Sequence, residues 1–419
     1  MRRTVAALAA LALTVGACSV TPADDADAPI TVGAVYPLSG SQGQGGIDEH
    51  RGALLAAQLV NADGGIDGRS IEIVSIDVSA AEAAPGAVAD LASEGVEVVL
   101  GSYGSTISAP ASETAAAHDM LFWETGAVGT LTRRSEQGVR TFRMPPTGAV
   151  LGANAIGFVD GPLAEAFDHD PGELRYAVSF VDDVYGRSVA SGALQAAADR
   201  ELEVVGRFGY DFTTVDYDDL ARRIDRSGAD VLFVSAYLTD AVELRRALVR
   251  NDVDLLASIG TSSSYCMPEF GAALGRGAVG LFASDKPSGD AIEASTLRPE
   301  GAALLERART AYDERWGEEM SPAALAGFSA AWALFAEVMP AASDLSPDAI
   351  AEAALEVDLP MGSLPNGSGV RFGAPGSATA GDNVAAAAVI WEWMVPGEHA
   401  VVWPPELATH DVRPMDIAP

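Results

Sequence analysis

The residues able to do chemistry are few, and their spacing argues against catalysis. Five histidines, His50, His118, His169, His399 and His410, stand far apart without metal-ligand spacing, so no metal site is expected. Asp182 and Asp183 are adjacent, and neighbours on a strand point to opposite faces, so they do not form a carboxylate dyad. Gly275-Arg276-Gly277-Ala278-Val279-Gly280 spells a dinucleotide fingerprint but precedes a strand instead of following one. No Gly-x-Ser-x-Gly nucleophile elbow lies near the Ser-rich loops. Cys266 has no second cysteine free to pair with it if Cys18 is modified, and reads as a small buried hydrophobe. Neither an enzyme nor a cofactor is expected.

What remains is the chemistry of holding a small molecule. Three loops are rich in hydroxyls, glycine and aromatics: Ser39–Gly45, Ser102-Tyr103-Gly104-Ser105-Thr106, and Glu124-Thr125-Gly126-Ala127-Val128. They lie at the carboxyl ends of expected strands, where helix N-termini can point free backbone N–H groups at an anion. In an open parallel sheet such strand ends form the binding crevice.

The elements that must position these loops alternate along the chain. Strands are expected at 30–36, 71–77, 96–101 and 120–124, with helices at 46–61, 81–93 and 108–117 between them. The alternation restarts after Met144-Pro145-Pro146, with strands at 176–181, 204–210, 231–236 and 255–260 and helices at 186–199, 218–227 and 240–250. Three helical stretches follow, 298–316, 323–339 and 346–356, then a Gly/Pro-rich loop over 360–381 and late strands at 384–395 and 400–403. This pattern predicts an α/β protein with two doubly wound parallel-sheet lobes.

The N-terminus reads as an export signal. Arg2 and Arg3 precede an apolar stretch from Val5 to Val15, followed by Gly16, Ala17 and Cys18. That run is too short to span a bilayer. Val15-Gly16-Ala17-Cys18 resembles the bacterial lipobox, in which the peptide is cut before the cysteine and its sulfur carries a diacylglycerol. Residues 1–17 are then a signal peptide and 18–29 an acidic, Pro-containing tether. With a formal net charge of −33, the chain is a poor partner for nucleic acid or anionic lipid. Lys286 is its single lysine, which genomic base composition or adaptation to salt would explain.

Five segments resemble the branched-chain amino acid-binding proteins, type I periplasmic binding proteins of ABC importers. They are Gly33-Ala34-Val35-Tyr36-Pro37-Leu38-Ser39-Gly40, the Asn61-to-Arg69 turn, Phe180-to-Gly186, Gly228-Ala229-Asp230-Val231, and Ala236-Tyr237. The resemblance spans roughly Ile30 to Trp403. It implies three chain crossings between the lobes, expected near Met144–Pro146, Ala283–Pro287 and Pro360–Pro365. Lobe 1 would then hold 30–145 and 286–361, lobe 2 would hold 146–285 and 362–405, and 406–419 would be a tail.

By the same resemblance, a small ligand lies between the lobes. Ser102 falls in a loop of ligand-binding hydroxyl and amide groups, with Tyr103 and Ser105 beside it. Gly126 and Ala127 fall on the element that offers backbone groups to a ligand carboxylate, and Tyr185 and Tyr237 on two tyrosines that close over the ligand. Ser39 and Ser262 belong to neighbouring loops. Ser102 and Ser105 could instead cap a helix, and the tyrosines could be core residues. Two departures stand out. Val128 replaces the family threonine, and Gly260-to-Tyr265 lacks the acid that pairs a ligand ammonium. Glu124 is the best substitute for that acid, so an amino acid is the default ligand while amides, small peptides and aromatic acids stay open. The implied partners are an ABC permease and ATPase on the outer face of the cytoplasmic membrane, with the protein acting as a monomer. A ligand-sensing receptor is the alternative.

Overall fold

The computed structural model describes residues 28–131, 134–135, 138–261, 263–287 and 292–414. The signal segment, Cys18 and Ser262 lie outside the described residues. The first lobe begins with β1 (Ile30–Tyr36), α1 (Gly43–Ala62), β2 (Ile71–Asp77), α2 (Ala84–Ser93), β3 (Val98–Gly101), α3 (Ser105–Ala117) and β4 (Leu121–Glu124). A small hairpin, β5 (Arg134–Ser135) and β6 (Gly138–Val139), leads to β7 (Thr141–Arg143). The sheet is parallel throughout, in the order β2-β1-β3-β4-β7. The sequence pattern missed β7, whose three residues are too short to show alternation.

The second lobe runs through α4 (Gly148–Phe158), α5 (Ala164–Ala166), β8 (Arg175–Val181), α6 (Val184–Asp199), β9 (Glu203–Tyr210) and α7 (Tyr217–Ser227). It continues with β10 (Val231–Ser235), α8 (Leu238–Arg250), β11 (Ala257–Thr261), α9 (Pro268–Leu274) and β12 (Phe282–Asp285). The chain then returns to the first lobe with α10 (Pro299–Trp316), α11 (Pro322–Trp332) and α12 (Pro347–Glu356). It finishes with β13 (Val389–Val395) and β14 (Glu398–Trp403) in the second lobe. That sheet has the order β14-β13-β12-β11-β10-β8-β9, with β13 and β14 antiparallel at its edge. The stretch Pro322–Ala341 is apolar and long enough to cross a membrane. Its Leu325, Phe328, Leu334 and Phe335 are instead buried in the first lobe's core.

Each lobe contains one helix pair that glycine lets approach closely. A Cβ on Gly52 of α1 would stand 2.0 Å from the Ala324 carbonyl oxygen, and one on Gly327 of α11 would stand 2.0 Å from that of Glu49. In the second lobe a Cβ on Gly152 of α4 would come within 2.3 Å of the Val189 oxygen. One on Gly192 of α6 would meet the Ala149 oxygen at the same distance.

The third expected crossing is displaced toward the C-terminus. Residues 362–383 pack on the first lobe. Leu364, Val370, Phe372 and Ala380 join its core, and the Phe372 ring sits edge-on to Trp123 and Phe142 at 5.4 and 5.0 Å. The crossing lies at 384–388. Asn383 latches it to the first crossing, donating from Nδ2 to the carbonyls of Met144 (3.3 Å) and Gly369 (2.9 Å) while Oδ1 accepts from the N–H of Arg371 and Ala385. The described part of the expected C-terminal tail, 406–414, folds back: Leu407 is buried against the second lobe and the Arg413 N–H donates to Glu392 at 2.9 Å.

Candidate functional site

The loops at the carboxyl ends of both sheets face each other and enclose a cavity of about 430 Å³. From the first lobe come Ser41, Gln42, Gln44, Tyr103 and Thr106; from the second come Asp183, Phe212, Tyr217, Tyr237, Asp240 and Glu269. Tyr103 also borders two smaller spaces, of about 60 and 10 Å³, beside Lys286. Its ring lies flat over α1 because residue 45 is glycine; a Cβ there would be 2.3 Å from the ring. Burial pushes the Tyr103 phenol up, opposed by its hydrogen bond to Ser263 across the cleft.

Several of the expected site residues are engaged inside the protein. Ser102 is wholly buried, and its hydroxyl meets those of Ser108 at 2.8 Å and the Gly104 carbonyl at 3.2 Å. Ser105 accepts the Gly129 N–H at 2.9 Å. Ser39 turns out to solvent and donates to Asp77 at 2.7 Å. Glu124, expected to pair a ligand ammonium, is wholly buried, and its Oε1 accepts the N–H groups of Gly126 (2.8 Å) and Ala127 (2.6 Å). One internal carboxylate thus takes both amides that the resemblance offered to the ligand. Burial raises Glu124 to about 7, against the lowering effect of those donors and of Arg143.

Behind Gly126 lies a second buried acid that the sequence reading missed. Glu49 accepts a hydrogen bond from Thr125, which also meets the Tyr36 hydroxyl at 2.8 Å. A Cβ on residue 126 would fall 1.9 Å from the Glu49 carboxylate, so glycine is required there for the acid to sit. Burial lifts Glu49 to about 8, with Lys286 pulling it down and Glu124 pushing it up. The Lys286 ammonium donates to the Gly126 carbonyl at 3.3 Å. Nothing in the periodic pattern around Glu49 marked it, because it lies on a helix face otherwise committed to α11.

The two tyrosines meet, with ring centroids 5.4 Å apart, but they do different things. Tyr185 is buried and its hydroxyl pairs with Thr261 at 2.8 Å. Tyr237 opens onto the cavity and donates to Asp183 at 2.6 Å. Asp183 follows β8, caps α6 by accepting the Gly186 N–H at 2.8 Å, and still faces the cavity, whereas Asp182 pairs with Arg187. Phe212 packs edge-on to Tyr237 at 5.9 Å and is 49% exposed, high for a large apolar side chain. Phe212, Tyr217 and Asp240 were not singled out in the sequence. Their signal was position: Phe212 stands just past the end of β9, and Tyr217 and Asp240 lie in the first turns of the helices that follow β9 and β10. Among the described residues no group of three metal-ligating side chains gathers.

Two α/β lobes joined by three crossings, with a cavity at their facing strand ends, define a two-lobed solute-binding protein of the type I periplasmic class. Comparison with known proteins agrees. The periplasmic binding protein family matches residues 29–387. A Leu/Ile/Val-binding protein homolog 8 from Brucella suis is 30% identical over 361 residues, covering 85% of this chain and 87% of that protein. A Leu/Ile/Val-binding protein homolog 7 from Brucella melitensis is 28% identical over 66% of this chain and 67% of its own. Solved structures share the fold at lower identity. The branched-chain amino acid transporter substrate-binding protein LivJ from Streptococcus pneumoniae, in complex with isoleucine, has a TM-score of 0.71 at 19% identity over 90% of this chain and 100% of its own. An extracellular ligand-binding receptor from Rhodopseudomonas palustris has 0.74 at 17%, with the same coverage. The chain belongs to the branched-chain amino acid-binding family of periplasmic binding proteins.

Proposed function

We propose that this protein is an exported lipoprotein, anchored through Cys18, that traps a small amino-acid-like solute and delivers it as a monomer to the permease and ATPase of an ABC importer. The observation that carries the reading is the cavity of about 430 Å³ whose walls come from both lobes at their strand ends. A solute there touches both lobes at once, so binding favours the closed arrangement over an open one. The relatives' names point to Leu, Ile and Val as the first solutes to try.

The test is a thermal-shift screen of the unlipidated body, residues 19–419, against amino acids, their amides and small carboxylates. A solute at about 100 times its dissociation constant should stabilise the fold by roughly 2.7 kcal/mol. A panel that leaves the transition unmoved throughout would count against solute capture.

A further inference from the structure

We infer that the cavity recognises an organic cation with an apolar body and does not require a carboxylate on it, an inference that rests on the solute-binding reading above. Asp183, Asp240 and Glu269 line the cavity with the rings of Tyr103, Phe212 and Tyr237, and no lysine, arginine or histidine does so among the described residues. Burial lifts Asp240 only to about 6, so it is mostly ionised at neutral pH. Asp183 spends one acceptor position per oxygen, on the Gly186 N–H and the Tyr237 hydroxyl, and a carboxylate has about four such positions. It can therefore accept further hydrogen bonds from a bound ammonium. The neighbouring ring faces add attraction for a cation once water is excluded.

A ligand carboxylate would lack partners at the positions the family resemblance assigns to it. The N–H groups of Gly126 and Ala127 are spent on Glu124, and the Ser102 hydroxyl is buried against Ser108 and the Gly104 carbonyl. The one buried ammonium nearby, Lys286, stands outside the large cavity and points to the Gly126 carbonyl. A carboxylate placed among three acids, with no cationic side chain lining the cavity among the described residues, would be repelled, which is costly in a desolvated site.

The experiment is calorimetric titration of the unlipidated body at pH 7 with matched probes: leucine and phenylalanine, the amines 3-methylbutylamine and phenethylamine, and the acids 4-methylpentanoate and 3-phenylpropanoate. At least one amine should bind tenfold or more tightly than its parent amino acid, and neither acid should bind. Asp183→Asn keeps a helix-capping side chain, so the fold should survive. It should weaken the amine by about ten- to a hundredfold, the loss of a hydrogen bond to a charged group, while raising the relative affinity for the acid. A parent amino acid or an acid binding more tightly than the amine would overturn the inference and leave solute capture standing. Equal affinity for amine and amino acid would also overturn it, as would an amine affinity unchanged in Asp183→Asn. Silence from all six probes, together with an unmoved thermal-shift panel, would overturn both readings; silence here with a neutral or anionic hit there would overturn only this one.

Discussion

Ser102 shows how a residue can match a binding motif and serve the framework. Its hydroxyl is buried between Ser108 and the Gly104 carbonyl, where it fixes the start of α3. Ser102→Ala should therefore lower stability by about 1–3 kcal/mol, the cost of breaking a buried hydrogen bond, with solute affinity unchanged; denaturant unfolding and titration on one preparation check both halves. Glu49 offers a pH test. Its ordinary value is 4.5 and burial raises it to about 8, so the folded chain holds a proton that the unfolded chain releases between those limits. The stability it provides is complete below about pH 4.5 and is lost as pH rises through 8. His50 opposes this in acid: burial lowers it from 6.5 to about 4, so charging it costs stability below its ordinary value. Between pH 6.5 and 8 the raised carboxylates act without that opposition. Melting temperature should fall across this window, and Glu49→Gln should shrink the fall. An equal fall in both proteins would remove Glu49 from the effect.

The helix pairs decide how firmly each lobe holds its loops. α1 carries Gln42 and Gln44 at its start and crosses α11 at Gly52 and Gly327, where backbone stands against backbone. α6 begins at the Asp183 cap and crosses α4 at Gly192 and Gly152. A methyl group at Gly52 or Gly192 has nowhere to go without separating the helices, and overpacking of this kind costs about 1–3 kcal/mol. Gly52→Ala and Gly192→Ala should each lower the melting temperature, whereas Gly86→Ala on α2, where an added Cβ meets nothing within 4 Å, should not lower it. Comparable losses in all three would mean that close packing is not what these positions supply.

On the scale of the whole molecule, the lobes are joined by three crossings, and the site is divided between them. Solute should draw the lobes together, and small-angle scattering should report a smaller radius of gyration at saturation than without solute; an unchanged profile would argue against a closing trap. The anchoring proposal is tested separately. Cys18→Ala should move the protein from the membrane fraction to the soluble one, and an intact free thiol at Cys18 in membrane-derived protein would refute acylation.

The sequence alone determined the α/β alternation and the two lobes, because both rest on local periodicity and on turn residues that declare themselves in a short window. It also singled out the loops that frame the cleft. Only tertiary structure decided what those loops do. The third crossing moved to 384–388 because Phe372 finds its packing partners in Trp123 and Phe142, hundreds of residues away in the chain. Glu124 was correctly placed at a strand end, but its direction was not legible: whether a carboxylate faces a ligand or its own loop depends on which N–H groups stand within 3 Å. Here the N–H groups of Gly126 and Ala127 do. Asp183, Phe212, Tyr217 and Asp240 came from three separate strand-to-helix connections, and no window of sequence contains their meeting. Elements follow from local patterns, whereas a site is a set of long-range distances that only the packed lobes define.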